Sequence, residues 1–390
     1  MKPQTFPLTR RRRLEITIAL ILLLALVLWS AVLQWTDKER NATAARKRTF
    51  AVARVVDILY DDAEAQDWTE GRRVGQQQLE VELLSGPWKG LVLECSNYLS
   101  VYSNIDAREG TRIIVRLDVD DETQPYIISV PNYDRTPMLA GLLLIFAALL
   151  VIIGGKKGVM ALLGLVYTLL SLWLILIPMV LRGADPILTA ILIVALTTTA
   201  SLFLLTGWSK KTLCASLGCT GGVAVAGLFA AAAGAVSPFN GFNMTEAEDM
   251  VLRAFDYDLH ISGLFVSGIL IASLGAVMDV AMSIASSCWE LRELNPQLSR
   301  AALFRSGMNI GRDAMGTMAN TLILAFAGSS LNTLLLLQVY DYPFIQIFNT
   351  DAIAEELIRG VAGSIGIILT VPLVAVLSSQ LMKAGEDRGK

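Results

Sequence analysis

The chain has 390 residues, of which 54% are hydrophobic and only 17% are charged, and its formal net charge is −3. This composition excludes an ordinary soluble globular protein. It indicates that the lipid bilayer is the main solvent of the chain.

Residues 1–15 form a basic N-terminus, which we predict to be cytoplasmic, and an apolar run from Ile16 to Trp35 follows it. That run is longer than the hydrophobic region of a typical signal peptide. The segment Leu33-Gln-Trp-Thr-Asp37 also lacks a small-x-small cleavage pattern. We therefore interpret residues 16–35 as a retained transmembrane anchor.

Residues 37–137 change from continuous apolar sequence to an alternating pattern that is typical of β-strands. Turn residues separate the strands, notably Ser85-Gly86-Pro87 and Glu109-Gly110. Five short strands in this length favour a small β-barrel of the OB type, and we expect no nucleic-acid binding because basic patches with interleaved aromatics are absent. The predicted strands are Thr49 to Leu59, Gln78 to Leu84, Leu91 to Cys95, Arg112 to Asp118 and Tyr126 to Val130.

Residues 138–381 contain seven more apolar windows of roughly the 20 residues that a transmembrane helix needs, and residues 382–390 form a short tail. The sequence thus predicts an α-helical polytopic membrane protein with about eight transmembrane helices and a small extracytoplasmic OB-like β-barrel domain. The seven windows are Met138 to Ile153, Val159 to Val180, Ile187 to Gly207, Leu213 to Val236, Leu259 to Met278, Ala314 to Leu337 and Leu357 to Leu381.

The distribution of Lys and Arg in the short loops predicts the orientation, because cytoplasmic loops carry an excess of both. With eight spans, most of the loop cations fall on one side, and both termini are then cytoplasmic. The tail at 382–390 lies on the same side. The cations on that side are Lys156, Lys157, Lys210, Lys211, Arg292, Arg300, Arg305, Arg312, Lys383, Arg388 and Lys390.

Two helix features have competing interpretations. Gly218 and Gly222 have the small-xxx-small spacing that lets helices approach closely, so this helix either packs tightly or lines a conduit. Pro372 interrupts the last span, where a kink is expected because the ring removes a backbone hydrogen bond. Such a broken helix either forms a binding site, as in transporters, or only improves packing.

Two polar stripes in apolar surroundings are the candidate site. Charged residues inside membrane helices are costly and usually functional. If the sixth span continues through Trp289, its polar residues recur at i, i+4 and i+7 and share one face, and the seventh span repeats the pattern. The two spans are joined by a short segment, so the stripes could meet. The candidate residues for an ion or substrate are Asp279, Ser283, Ser286, Asn309, Arg312, Asp313, Thr317, Asn320 and Thr321.

The position of the two aspartates leaves three interpretations open. Asp279 lies about 30 Å into its window and Asp313 at the start of the next, so both could be interfacial residues paired with Arg312 or Arg305. They could instead form a cytoplasmic-side ion site. A third alternative is an intramembrane hydrolase, but a neighbouring cation would keep the Asp313 carboxylate ionised.

Other chemistry has little support in the sequence. We find no catalytic triad, phosphate-binding loop, HExxH motif or metal-ligand spacing, and we expect no cofactor and no metal. A single cysteine, Cys95, lies in the predicted outer domain, so no disulfide can staple that domain internally. The expected partners are the lipid bilayer and either an envelope protein or further copies of the chain.

Three stretches carry a resemblance to a known family. They are Val81-Glu-Leu-Leu-Ser-Gly-Pro-Trp-Lys-Gly90, Gly275-Ala-Val-Met-Asp-Val-Ala-Met-Ser-Ile-Ala-Ser-Ser287 and Ser306-Gly-Met-Asn-Ile-Gly-Arg-Asp-Ala-Met-Gly-Thr-Met-Ala-Asn-Thr-Leu-Ile-Leu-Ala325. The chain resembles the YibE/F family of bacterial multi-pass membrane proteins. The resemblance implies a bacterial plasma-membrane protein with an extracytoplasmic β domain, and it implies no particular substrate.

The leading hypothesis is a secondary permease or exporter. In this hypothesis Asp279 carries an ion or a proton, while Arg312 and Asp313 set its charge state. The rival hypothesis is an assembly or sensory protein that does not transport and uses its outer β domain to bind an envelope partner. An intramembrane hydrolase is the third and weakest alternative.

Overall fold

The computed structural model describes Trp29 and residues 49–120, 124–237, 239, 241–244, 247–253 and 259–382. The predicted anchor at 16–35 therefore lies outside the described residues except for Trp29, as does the tail beyond Met382. The described part divides into two compact units, with the boundary between Leu149 and Leu150.

The first unit is a curled antiparallel sheet that forms a half-barrel. Its order is β2-β3-β1-β5-β6, with β4 paired to the free side of β3, and β4 also contacts β6. All five predicted strands are confirmed, and the two-residue β2 was not predicted. The strands are β1 (Thr49–Asp61), β2 (Glu64–Ala65), β3 (Arg73–Leu83), β4 (Val92–Leu99), β5 (Arg112–Asp120) and β6 (Gln124–Tyr133).

Alternation along the strands builds the core of this unit, because successive side chains point to opposite faces of a sheet. Leu79, Val81 and Leu83 point inward from β3 and are fully buried, as is Ile113 on β5. Register shifts in β1 after Val55 and Ile58 allow the strand to bend, as bulges do.

The second unit is helical, and residues 136–149 at the start of its first helix belong to the sheet unit. Short 3₁₀ turns and a π turn at Leu172–Leu176 connect or extend the helices. The helices are α1 (Thr136–Ser171), α2 (Ile177–Leu181), α3 (Pro186–Thr206), α4 (Lys210–Val236), α5 (Ala247–Arg253), α6 (Leu264–Leu294), α7 (Arg300–Ser329), α8 (Leu331–Val339), α9 (Phe344–Asn349) and α10 (Asp351–Leu381).

Within the described residues, five helices are long and apolar enough to cross a membrane. A sixth candidate results if α7 and α8 are one span, although they are bent by 52°. The predicted window Ala314 to Leu337 is therefore wrong as a continuous helix, because the chain breaks at Ser330. The windows that became α3, α4 and α10 are confirmed as helices.

The windows Met138 to Ile153 and Val159 to Val180 fall in one helical stretch that bends sharply at Gly155. That glycine has φ 53° and ψ −129°, outside the helical region. A Cβ atom on Gly158 would collide with the carbonyl of Leu150, although a straight helix would separate these residues by about 12 Å along its axis. The backbone therefore turns sharply between Leu150 and Gly158.

Side chains cap several helices and so fix where they begin. The Asp185 carboxylate accepts a hydrogen bond from the Leu188 amide at 2.8 Å, with Pro186 in the first turn of α3. The Ser299 hydroxyl accepts one from the Ala302 amide at 3.1 Å. Helix α7 thus begins at Arg300, well before the apolar window that the sequence predicted for it.

Candidate functional site

Helices α6 and α7 carry the candidate residues and pack against each other in antiparallel fashion. The contact uses small residues on α7, because a Cβ atom on Gly311 would crowd Ile284 and one on Gly307 would crowd Cys288. Both glycines are buried. This register places Asp279 level with Gly316, Ser283 level with Arg312 and Ser286 level with Asn309.

The two aspartates lie deeper along their helices than the sequence predicted. Asp279 lies 15 residues before Leu294, about 22 Å from that end of α6, and Asp313 lies 13 residues after Arg300, about 20 Å from the start of α7. Helix α6 continues to Leu294, so the predicted polar stripe on it is helical throughout. Both carboxylates are near the middle of helices of 31 and 30 residues.

All nine candidate side chains lie on the outward faces of the two helices. Ser286 is half-buried and the other eight are exposed: Asp279, Ser283, Asn309, Arg312, Asp313, Thr317, Asn320 and Thr321. The helices meet through their other faces, so the predicted stripes stand at matching levels without facing each other.

Within the described part of the chain, neither aspartate has an ion-pair partner, and Arg305 and Arg312 have none either. Among residues 49–382 as far as they are described, the candidate side chains donate one hydrogen bond, which is local and runs from the Thr321 hydroxyl to the Thr317 carbonyl at 2.8 Å. The interfacial ion-pair interpretation therefore has no counterpart in these residues. Asp279 and Asp313 share no hydrogen bond with each other.

A buried polar seam connects α3 and α4 on the inner side of α6. The Thr198 hydroxyl lies 3.7 Å from the Cys219 thiol, and both side chains are fully buried. Hydroxyl pairs extend the seam toward the α3–α4 turn, with Thr199 at 2.6 Å from Ser216 and Thr206 at 2.8 Å from Thr212. These hydroxyl pairs hold the two helices together.

The glycine-rich face of α4 packs against α10 and lines no conduit there. A Cβ atom on Gly222 would overlap the Thr370 hydroxyl, and one on Gly218 would overlap Val374. Gly366 in turn lies against Ala226. The packing interpretation of the Gly218–Gly222 spacing is therefore confirmed. Helix α10 continues through Pro372 without ending.

Sequence reasoning missed a charged cluster at the start of α10. The Arg359 guanidinium forms a short ion pair with Glu355 and reaches Glu356 at 3.4 Å. It also lies 5.9 Å from the centroid of the Phe326 ring on α7. The i, i+3 and i+4 spacing of these residues was the available signal, but the sequence analysis gave Arg359 no role.

An open cavity of about 250 Å³ lies between α4 and α10. Its walls have almost no polar surface, so it offers no group to orient a polar ligand. The lining residues are Phe229, Ala233, Leu357, Ile358, Val361, Ala362 and Ile365.

The sheet unit holds a buried polar network that fixes the loop between β4 and β5. Gln77 is fully buried; its Nε2 donates to Asp61 at 3.0 Å and to the Ala107 carbonyl at 3.1 Å. Its Oε1 accepts from Asn97 Nδ2 at 3.0 Å. Arg73 contacts Asp61 at 2.6 Å and Asp106 at 2.7 Å. Because the buried amides of Gln77 and Asn97 are hydrogen-bonded, the network stabilises the loop.

The helical unit with its apolar surface and the curled sheet are those of a membrane protein with a β-barrel-like domain. Residues 142–384 match a family described as YibE/F-like protein. This match covers more than half of the chain, so the chain belongs to the YibE/F-like family. No curated protein and no solved structure matches it.

Proposed function

We propose that this protein is a secondary permease or exporter for a small ion or solute in a bacterial plasma membrane, with both termini in the cytoplasm. The observation that carries the proposal is Asp279, a carboxylate near the middle of α6 with no ion-pair partner among the described residues. A charge at the centre of a membrane helix costs about 2.5–3.5 kcal/mol. A bound cation or proton offsets this cost.

The other candidate residues supply the remaining groups of such a site. Ser283 is one turn from Asp279 on the same face and offers a hydroxyl to a hydrated ion or a polar solute. Arg312 stands level with Ser283 and sets the local charge together with Asp313. Asn309 and Asn320 can each donate and accept hydrogen bonds on α7.

In this proposal the sheet unit is an extracytoplasmic OB-type barrel. The strand order supports it, since β3 and β5 flank β1 while β4 approaches β6 to close the curve. The family supports the membrane location, and the apolar exposed surface of α1 supports it as well.

Purified protein in liposomes that contain a pH-sensitive dye tests the proposal. We expect an imposed proton gradient to drive flux through the native chain, alone or with one of a panel of monovalent and divalent cations. Asp279→Asn should reduce that flux at least tenfold, because an amide cannot take up a proton or balance a cation.

Glu290→Gln is the matched control, since Glu290 is an exposed acid on the same face of α6, three turns further on. It should keep the native flux. Equal flux in all three proteins would remove Asp279 from the mechanism. Flux no greater than in empty liposomes, across the whole panel, would rule out the permease.

A second candidate function is partner binding by the sheet unit, which exposed aromatic rings favour. Tyr102 is completely exposed, and Trp68 and Tyr98 are about 70% exposed. Exposed aromatic side chains are enriched at the energetic centres of protein interfaces. If Trp68→Ala with Tyr102→Ala abolishes complementation of a strain that lacks this protein while flux in liposomes is unchanged, partner binding is the essential activity.

A further inference from the structure

The outward face of α7 is polar over most of the helix, and nothing among the described residues covers it. Asn309, Arg312, Asp313, Thr317 and Asn320 are all exposed. Gly316 on the same face has no neighbouring atom within 4 Å of where a Cβ atom would be. The opposite face of α7, with Gly307 and Gly311, is the one that contacts α6 and α10.

Lipid is a poor environment for this face. Hydrocarbon offers no hydrogen-bond partner to an amide, a guanidinium or a carboxylate, so such groups in membrane helices turn to protein or to water. The face needs a cover that carries both hydrogen-bonding groups and charges.

The first predicted span, residues 16–35, does not supply such a cover. It contains no charged residue, and its polar side chains are limited to Thr17, Ser30 and Gln34. It offers no counter-ion to Arg312 or to Asp313. The cover must therefore bring an acid and a base of its own.

We infer that a second copy of this chain covers the face, and that Arg312 of each copy pairs with Asp313 of the other. The two residues are adjacent in sequence, so they stand 1.5 Å apart along α7 and about 100° apart around it. A two-fold axis parallel to the helix and passing between them sets each arginine opposite the other copy's aspartate. Twofold contacts of this kind are self-complementary.

The rest of the face fits the same arrangement. Asn309 and Asn320 carry amides that both donate and accept, so each can bond to its own equivalent or to a threonine across the axis. Gly316 allows the two backbones to approach closely at the level of Asp279. The described residues of one copy leave this polar surface open, and in this inference the second copy closes it.

This inference rests on the membrane location proposed above and not on transport. Charge reversal in the full-length protein tests the inference. Two copies with different affinity tags are co-expressed and solubilised in mild detergent, one tag is captured, and the amount of the other tag that is recovered with it is measured. Arg312→Asp gives two acids on the face and Asp313→Arg gives two bases. We expect each variant expressed alone to lose at least 80% of the co-recovery seen with the native chain.

Co-expression of the two single variants should restore association, because the acidic face of one then meets the basic face of the other. The double variant Arg312→Asp with Asp313→Arg should associate like the native chain, since it exchanges the charges and keeps the complementarity. If the double variant associates, substitution at these two positions does not prevent folding.

Cysteine cross-linking in membranes identifies directly the chain that packs against this face of α7. We expect oxidised Asn309→Cys protein to run as a covalent dimer, because position 309 lies within about 10° of the proposed axis. Leu192→Cys, on the exposed apolar surface of α3, should stay monomeric. The inference would be overturned if the charge reversals leave co-recovery unchanged, or if the double variant Asn309→Cys with Ser30→Cys cross-links only within one chain. A dimer without flux would leave it standing and remove only the permease.

Discussion

Gly222 on α4 lies so close to Thr370 on α10 that any side chain at position 222 would overlap the threonine hydroxyl. That hydroxyl donates to the Gly366 carbonyl at 2.7 Å, and Gly366 itself lies against Ala226. The two helices are therefore joined through backbone and small groups. This contact holds α10 in position, and α10 in turn packs against α7.

We expect Gly222→Ala to lower the free energy of unfolding by about 1–3 kcal/mol, the usual cost of overpacking a tight contact. Rotation of Thr370 does not relieve the clash fully, because its Cβ atom and the Gly366 carbonyl are also near. Thermal unfolding in detergent measures the effect. Gly268→Ala on α6 is the control, since no atom lies within 4 Å there, and it should not destabilise the protein. Thr370→Ala combined with Gly222→Ala should recover part of the loss.

The stability of the sheet unit should decrease in acid because of Asp61. Desolvation raises the pKa of this carboxyl, but hydrogen bonds from Arg73, Gln77 and the Ala63 amide outweigh it, so the pKa lies below its ordinary value of 3.8. A depressed carboxyl pKa adds stability that is complete above the ordinary value and is lost as the pH falls through the folded-state pKa. The protection factors of β1 and β3 amides, corrected for the pH dependence of intrinsic exchange, measure this loss between pH 7 and pH 3.

Asp61→Asn tests the assignment. The variant should be less stable than the native chain at pH 7, and its stability should fall less on acidification. Asp67→Asn changes an exposed aspartate whose carboxylate has no hydrogen bond within the described residues, and it should leave the pH dependence unchanged. If Asp61→Asn retains the full acid dependence, another group is responsible.

Arg359 should be required for the stability of the helical unit. Its guanidinium contacts Glu355 and Glu356, and all three side chains are at most 24% exposed. Breaking a fully buried pair costs about 3–5 kcal/mol, and for this partly exposed cluster we expect about 2 kcal/mol for Arg359→Met. Thermal unfolding measures it, and Arg359→Lys should lose less. Glu355→Gln and Glu356→Gln should restore part of the thermal stability that Arg359→Met loses. If they do not, the contact of Arg359 with the Phe326 ring is the one that stabilises the helical unit.

The regular elements were largely predictable from local sequence. Alternation found all five long strands, and apolar windows found α3, α4 and α10. Both signals depend only on neighbours along the chain. The true start of α7 was missed because Arg300, Arg305 and Arg312 lower the hydropathy of its first half, although the Ser299 cap was visible in sequence.

The relations between distant residues were not predictable. Nothing local indicates that Asn97 donates to Gln77, 20 positions earlier, since the bond depends on the pairing of β3 with β4. The stripes on α6 and α7 were found correctly as stripes. Their outward direction depends on which faces Gly307 and Gly311 bring into contact, and helical periodicity does not specify that.

The cysteine content has a simple consequence for the sheet unit. Cys95 is buried in its core, where desolvation raises the pKa of the thiol to about 11, and all four cysteines of the chain are free. A protonated, shielded thiol is a poor nucleophile. No disulfide joins the strands of the half-barrel, so a reductant has no cross-link to break there; hydrogen bonds around Gln77 hold its β4–β5 loop, where many secreted domains use disulfides.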